Sequence, residues 1–253
     1  MTLMKRIVAC LDVRGTRVVK GTSFVSLRDV GDPVALAGQY EKEGADEIVF
    51  LDIAATVDAR TTLLELAQRT AQQLFIPLTI GGGIRSADDV ATALRAGADK
   101  VSINSAGVRR PELYSEAARR FGAQCVVASI DAKRTDGGWR VYVEGGRRST
   151  DIDAIAWARE VVDRGAGEIL LTSVDRDGTR SGYDVELTRA VADAVDVPVI
   201  ASGGAGSAED VGHALDAGAD AALVAGVLHD GIITVGQLKT HLRARGFDIR
   251  SAA

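Results

Sequence analysis

The chain has 253 residues, of which 46% are hydrophobic and 26% charged, with a net charge of -5. That balance excludes a disordered chain, the length suits one large domain or two small ones, and an acidic surface argues against a nucleic-acid partner. No apolar run approaches the roughly 18–20 residues of a membrane span. The first residues lack a signal-peptide pattern. Two cysteines, Cys10 and Cys125, are too few for a disulfide framework, so a cytoplasmic protein is expected.

Short β-branched runs alternate with longer Ala/Leu/Glu/Arg stretches along the whole chain. The pattern predicts strands over residues 6–12, 48–53, 78–81, 100–104, 125–131, 169–173, 199–202 and 221–225. Helical spacing predicts helices over 33–43, 60–74, 86–96, 111–121, 152–164, 184–194, 207–217 and 235–246, with Ser86 and Ser207 as N-caps ahead of acidic first turns. Eight strands each followed by a helix predict a single (β/α)8 TIM barrel over residues 1–253.

An internal repeat supports the barrel. Residues 77–105 align without gaps on 198–226, a shift of 121, and 13 of the 29 positions are identical. They include Gly82 with Gly203, Gly83 with Gly204, Asp89 with Asp210, and Ala-Gly-Ala-Asp at 96–99 and 217–220. Val-Ala-Cys-Leu-Asp at 8–12 resembles Val-Ala-Ser-Ile-Asp at 127–131. So long a period does not suit a solenoid and implies two half-barrels closing with pseudo-twofold symmetry.

Barrel enzymes work at the C-terminal ends of their strands. The repeat places Asp12 and Asp131 there, facing each other from the first and fifth strands. Two carboxylates suit general acid–base catalysis, since different surroundings can hold one protonated and one ionised; the other reading is that each caps a loop. Gly82-Gly83 and Ser202-Gly203-Gly204 end the third and seventh strands. Beside them lie Asn104-Ser105 and Ala225-Gly226. Glycine lets backbone N–H groups approach an anion closely, so two anion sites on opposite sides of the mouth are expected, suited to a substrate with a phosphate at each end.

After the sixth strand, Asp177 and Gly178 read either as part of a polar turn or as an active-site loop. The stretch 13–32, with Lys20 and Phe24, is long for a βα loop and suggests a lid, with Lys20 either closing on a phosphate or exposed. At the other end, Arg6, Glu47, Lys100 and Glu168 all stand at strand starts. They can form a charged ring, read either as a stability network or as a gate. The three histidines fall late in the chain, with no H-E-x-x-H or C-x-x-C, so no metal site is expected.

Taken together these residues, with Lys-Arg-Ile-Val-Ala-Cys-Leu-Asp-Val at 5–13, Asp-Arg-Asp-Gly-Thr at 175–179 and Ala-Ser-Gly-Gly-Ala-Gly at 201–206, resemble the cyclase subunit of imidazole glycerol phosphate synthase over nearly the whole chain. The resemblance implies a lyase of histidine biosynthesis. It would join ammonia from a glutaminase subunit to the bisphosphate PRFAR, giving imidazole glycerol phosphate and AICAR without a cofactor or metal. It further implies Asp12 and Asp131 as the acid–base pair, and Lys20, Gly82, Gly83, Asn104, Ser105, Thr172, Asp177, Gly178, Ser202, Gly203, Gly204, Ala225 and Gly226 as substrate-binding positions.

The same resemblance makes Arg6, Glu47, Lys100 and Glu168 an ammonia gate and places Asp99 at the interface with a glutaminase docked on the N-terminal face. Two positions depart from the family pattern. Gly226 stands where Ser is frequent, which removes a hydroxyl from the second phosphate site, and Ala54 replaces a commoner Thr. An Amadori-type isomerase of a related phosphosugar and a non-catalytic bisphosphate-binding barrel are the alternatives. Ammonia dependence separates the first of these, and tolerance of Asp131→Asn the second.

Overall fold

A computed structural model describes residues 4–22, 25–53 and 57–251. In chain order the elements are β1 (Arg6–Arg14), β2 (Arg17–Thr22), β3 (Val25–Gly31), α1 (Pro33–Lys42), β4 (Glu47–Asp52), α2 (Val57–Ala71), β5 (Leu78–Gly81), α3 (Ala87–Arg95), β6 (Lys100–Ile103), α4 (Ser105–Arg109) and α5 (Glu112–Phe121). The second half runs β7 (Val126–Thr135), β8 (Gly138–Val143), β9 (Arg148–Asp153), α6 (Ala154–Asp163), β10 (Glu168–Ser173), α7 (Val185–Ala192), β11 (Val199–Ser202), α8 (Ala208–Asp216), β12 (Ala221–Val224), α9 (Gly226–His229) and α10 (Val235–Ala244).

Eight strands close a parallel barrel in the order β1-β4-β5-β6-β7-β10-β11-β12, with β12 pairing back to β1. This is the (β/α)8 fold expected from the sequence. The halves break between β6 and β7, where the repeat places the boundary.

Alternation of side chains along a strand separates two cores. One set, such as Ile7, Ala9 and Leu11 of β1, packs outward under the helices with Tyr40, Leu66, Tyr114 and Trp157. The other set points inward. Val8, Cys10, Val49, Val127, Leu170, Ile200, Ala221 and Leu223 form a separate apolar cluster in the barrel interior. Continuing the same period of two on β1 puts Arg6 below this cluster and Asp12 above it. On β7 it puts Asp131 above Val127, and on β10 it puts Glu168 below Leu170 and Thr172 above it. One alternating sequence pattern thus sets a charged floor, an apolar throat and an acidic mouth in line.

The conserved spacing of the repeat has a local cause. Asp99 and Asp220 end the matching Ala-Gly-Ala-Asp turns, and each carboxylate accepts from the first N–H of the preceding barrel strand, from Leu78 at 2.8 Å and from Val199 at 3.1 Å. Ser86 and Ser207 cap α3 and α8 by accepting from Asp89 N and Asp210 N, as their acidic first turns suggest. Ser207→Ala should lower stability by about 1 kcal/mol, read as a shift of the urea midpoint without a change in slope.

Two stretches differ from the sequence reading. Residues 13–32, expected as a long loop, carry β1 on to Arg14 and then form the antiparallel strands β2 and β3. The matching stretch of the second half does the same: β7 runs on to Thr135, followed by β8 and β9. The second hairpin has the alternation of a strand, with Trp139, Val141 and Val143 on one face and Arg140 and Tyr142 on the other. The strand expected from residue 125 begins at Val126, after a 3-10 turn over Ala123–Cys125. Phe24 and Ala54 lie outside the described residues.

Candidate active site

Asp12 and Asp131 end the inward rows of β1 and β7, where the carboxylates are partly buried over the apolar throat. Both are perturbed. Burial, with the charge of Asp177 as a second cause, raises Asp12 to about 7. Burial also raises Asp131, to about 6; a hydrogen bond from the Asn104 side chain lowers it, and Asp177 raises it again. Asp177 is itself raised by burial, against a hydrogen bond from the Gly178 backbone. The mouth therefore holds three carboxylates, with Asp177 the charge felt by the other two. The sequence placed the opposed pair but gave Asp177 only a binding place in a loop. The charge of Asp177 also acts on Cys10, directly beneath Asp12 on β1, whose thiol burial holds well above its ordinary range.

The glycine turns around the mouth are tight. Gly82 has φ +92, and a Cβ there would lie 2.6 Å from the Asp52 carbonyl oxygen. Gly203 has φ +89, and a Cβ would lie 2.8 Å from the Ser173 carbonyl oxygen. Each turn folds against the end of the preceding barrel strand at symmetry-matched positions, and only glycine fits both the dihedral and the space. Gly83 and Gly204 follow in the same turns. Thr172 pairs in register with Asp131 on one side and Ser202 on the other, so this arc of the rim is continuous.

The hairpins cover the rim crosswise. Lys20, on β2 of the first half, donates to the Gly226 carbonyl at 3.1 Å, beside Ala225 at the end of β12. Glu144, in the turn after β8 of the second half, donates its backbone N–H to Ser105 Oγ at 2.9 Å, beside Asn104 at the end of β6. Ser105 and Gly226 are equivalent positions of the repeat. Each half-barrel thus lays its hairpin over the strand-end turns of the other half.

At the barrel floor, Arg6, Glu47, Lys100 and Glu168 form a closed ring. Arg6 bonds Glu47, and also Glu168 at 2.6 Å; Lys100 bonds Glu47 at 2.9 Å and Glu168 at 2.7 Å. Burial works against the charge on Arg6, but Glu168 and Glu47 outweigh it and hold the guanidinium above its ordinary value. Two cations and two anions cancel, which leaves a neutral but strongly polar plug beneath the apolar throat. Asp99 is exposed on the same face, with one carboxylate oxygen engaged by Leu78 N.

Among the described residues no group of three or more His, Cys, Asp or Glu could hold a metal ion, and no helix is long and apolar enough to cross a membrane. A family model described as "Histidine biosynthesis protein" matches residues 6–234. The chain is 68% identical over 250 residues to "Imidazole glycerol phosphate synthase subunit HisF" of Myxococcus xanthus (strain DK1622), covering 98% of this chain and 99% of the relative. Proteins of the same name from Synechococcus sp. (strain CC9311) and Synechocystis sp. (strain ATCC 27184 / PCC 6803 / Kazusa) are 59% and 56% identical, covering 97% and 100% of this chain and 95% and 99% of those relatives. The match runs from the charged floor to the glycine turns of the mouth, and the chain belongs to the family of histidine biosynthesis proteins, among the HisF subunits of imidazole glycerol phosphate synthase.

Proposed function

We propose that this chain is the cyclase partner of a glutaminase. It takes ammonia and PRFAR and releases imidazole glycerol phosphate and AICAR, using Asp12 and Asp131 as acid and base. The single observation that carries the reading is the pair of perturbed carboxylates set between symmetry-matched glycine cradles. A substrate with a phosphate at each end spans such a mouth and lays its middle over the carboxylates. Backbone amides of the Gly82-Gly83 and Gly203-Gly204 turns, with the side chains of Asn104, Ser105, Thr172 and Ser202, hold the two ends.

A carboxyl with its midpoint at about 7, as for Asp12, is present in both protonation states at working pH and can take and return a proton. That suits imine formation followed by ring closure, where the same group acts first one way and then the other. Asp131, at about 6 and hydrogen-bonded by Asn104, is more often ionised and assists at the other side of the substrate. Burial, with the charge of Asp177 behind it, keeps both from ionising too readily, and Asp177 presents its loop, with Gly178, to the substrate.

Ammonia is the species that reacts, and ammonium does not. A passage through the barrel keeps it unprotonated: in by the floor, past the four-charge ring, through the apolar throat lined by Val8, Val49 and Leu170, to the carboxylates. The glutaminase then docks on the N-terminal face, where Asp99 is exposed.

The test is direct. Purified chain, PRFAR and an ammonium salt at alkaline pH should consume PRFAR and yield both products without glutaminase or added metal. An isomerase would leave ammonia unused, and a non-catalytic barrel would leave PRFAR intact. The acid limb should follow the carboxylates. With rates normalised to free ammonia, turnover should fall as pH drops through 7 and 6, the values for Asp12 and Asp131, because the base becomes protonated. A profile flat from pH 8 to pH 5 would remove both residues from proton transfer.

A further inference from the structure

At the rim of the second cradle, three basic side chains from two loops converge on one carboxylate. Lys20 and Arg28 come from the first hairpin, and Arg180 comes from the loop between β10 and α7. All three pair with Asp230, which follows α9. Lys20 and Arg180 also donate to the Gly226 carbonyl, at 3.1 and 3.2 Å. Sequence reading singled out only Lys20 of the four.

Three features mark the cluster as more than a surface ion-pair network. Its charges do not balance: three cations meet one anion and a carbonyl, leaving a surplus of two positive charges. The cations press on each other, and burial together with Arg28 pulls the Lys20 ammonium below its ordinary value. Arg180, moreover, adopts φ 56, a left-handed backbone that non-glycine residues rarely take, while its guanidinium reaches Gly226 and Asp230. Finally, the Arg180 carbonyl packs against Gly206, so the loop bearing the guanidinium lies directly on the Gly203–Gly206 turn.

We propose that Arg180 and Arg28, gathered with Lys20 by Asp230, form a cationic clamp for the substrate phosphate held at the Gly203-Gly204 and Ala225-Gly226 cradle. A phosphate monoester carries close to two negative charges at neutral pH, which matches the surplus with Asp230 still in place. Guanidinium groups bind phosphate oxygens through paired donors, a geometry lysine alone does not supply. The clamp also accounts for the glycine at 226. A Cβ there would lie 3.1 Å from Lys20 Nζ and 3.7 Å from Arg180 Nη2, so the bare backbone leaves room for the charged donors. The opposite cradle has a different arrangement, with Ser105 Oγ engaged by the Glu144 amide.

The proposal rests on the cyclase reading, and the experiment keeps the two separable. Arg180→Met, Arg28→Met and Arg180→Lys are assayed with PRFAR and ammonium, and inhibition by each single-phosphate product is measured. Each methionine variant should raise KM for PRFAR about tenfold or more while kcat changes little, the loss expected for a charge-assisted hydrogen bond. Inhibition by one product should weaken to a similar extent and inhibition by the other should hold, because only one cradle is touched. Arg180→Lys should recover part of the loss. An unchanged KM, equal weakening of both products, or an Arg180→Lys variant as impaired as Arg180→Met overturns the clamp. Wild-type chain that leaves PRFAR unconsumed fails the cyclase reading itself, and the clamp with it.

Discussion

Asp12→Asn should lower ammonia-driven turnover of PRFAR by about a thousandfold, within the 10²–10⁴ range of a positioned acid–base group, with little change in KM. The amide keeps the size and a hydrogen-bonding oxygen of the carboxyl but cannot carry the proton. The same substitution should make the protein more stable at pH 8. Asp12 is raised from 3.8 to about 7 in the folded chain, so between those values the folded state binds a proton that the unfolded state has released. Stability is therefore lost as pH rises through this window, and at pH 8 the chain holds a buried charge that folding disfavours. Removing it should gain on the order of 2 kcal/mol at pH 8, and the gain should shrink towards pH 4. A fall in activity with a parallel fall in stability would mean that the variant misfolds and that Asp12 is structural.

Lys100→Ala should separate the two nitrogen sources. It leaves Glu47 and Glu168, both buried, with Arg6 as the one remaining cation of the ring, and removing one partner from a buried ion network is expensive. The floor should rearrange, and ammonia made by a docked glutaminase should escape or stall. Glutamine-driven turnover should fall by about tenfold or more, or glutamine be hydrolysed without matching product, while turnover with saturating ammonium changes by less than about threefold. The mouth lies beyond the throat residues Val8, Val49 and Leu170, so the reacting carboxylates are not touched. Equal losses with both nitrogen sources would make the ring a stability network only.

Much of the barrel was legible because a period of two and a period near 3.6 alternate cleanly, and because residues 77–105 reappear at 198–226. The same period of two carries Arg6, Val8, Cys10 and Asp12 to one face, so floor, throat and mouth could be read from a single strand. The hairpins were harder. Arg17–Thr22 holds adjacent valines, Val18 and Val19, both buried, and shows no alternation. Gly138–Val143 does alternate after the Asp136-Gly137 turn, a signal strong enough to mark β8. Asp177 follows an apolar strand but sits in a turn without period; only packing of its loop against Gly203 brings its charge to Asp12 and Asp131. The Lys20, Arg28, Arg180 and Asp230 cluster has no local signature, because its members meet through the closing of the barrel.

The most direct measurement of the whole account is a crystal structure of Asp12→Asn with PRFAR bound. One terminal phosphate should lie on the Gly82-Gly83 turn beside Asn104 and Ser105. The other should lie on the Gly203-Gly204 turn beside Ala225 and Gly226, with the substrate's central atoms between position 12 and Asp131. Phosphates seated elsewhere, or a substrate lying along one side of the mouth away from Asp131, would contradict it.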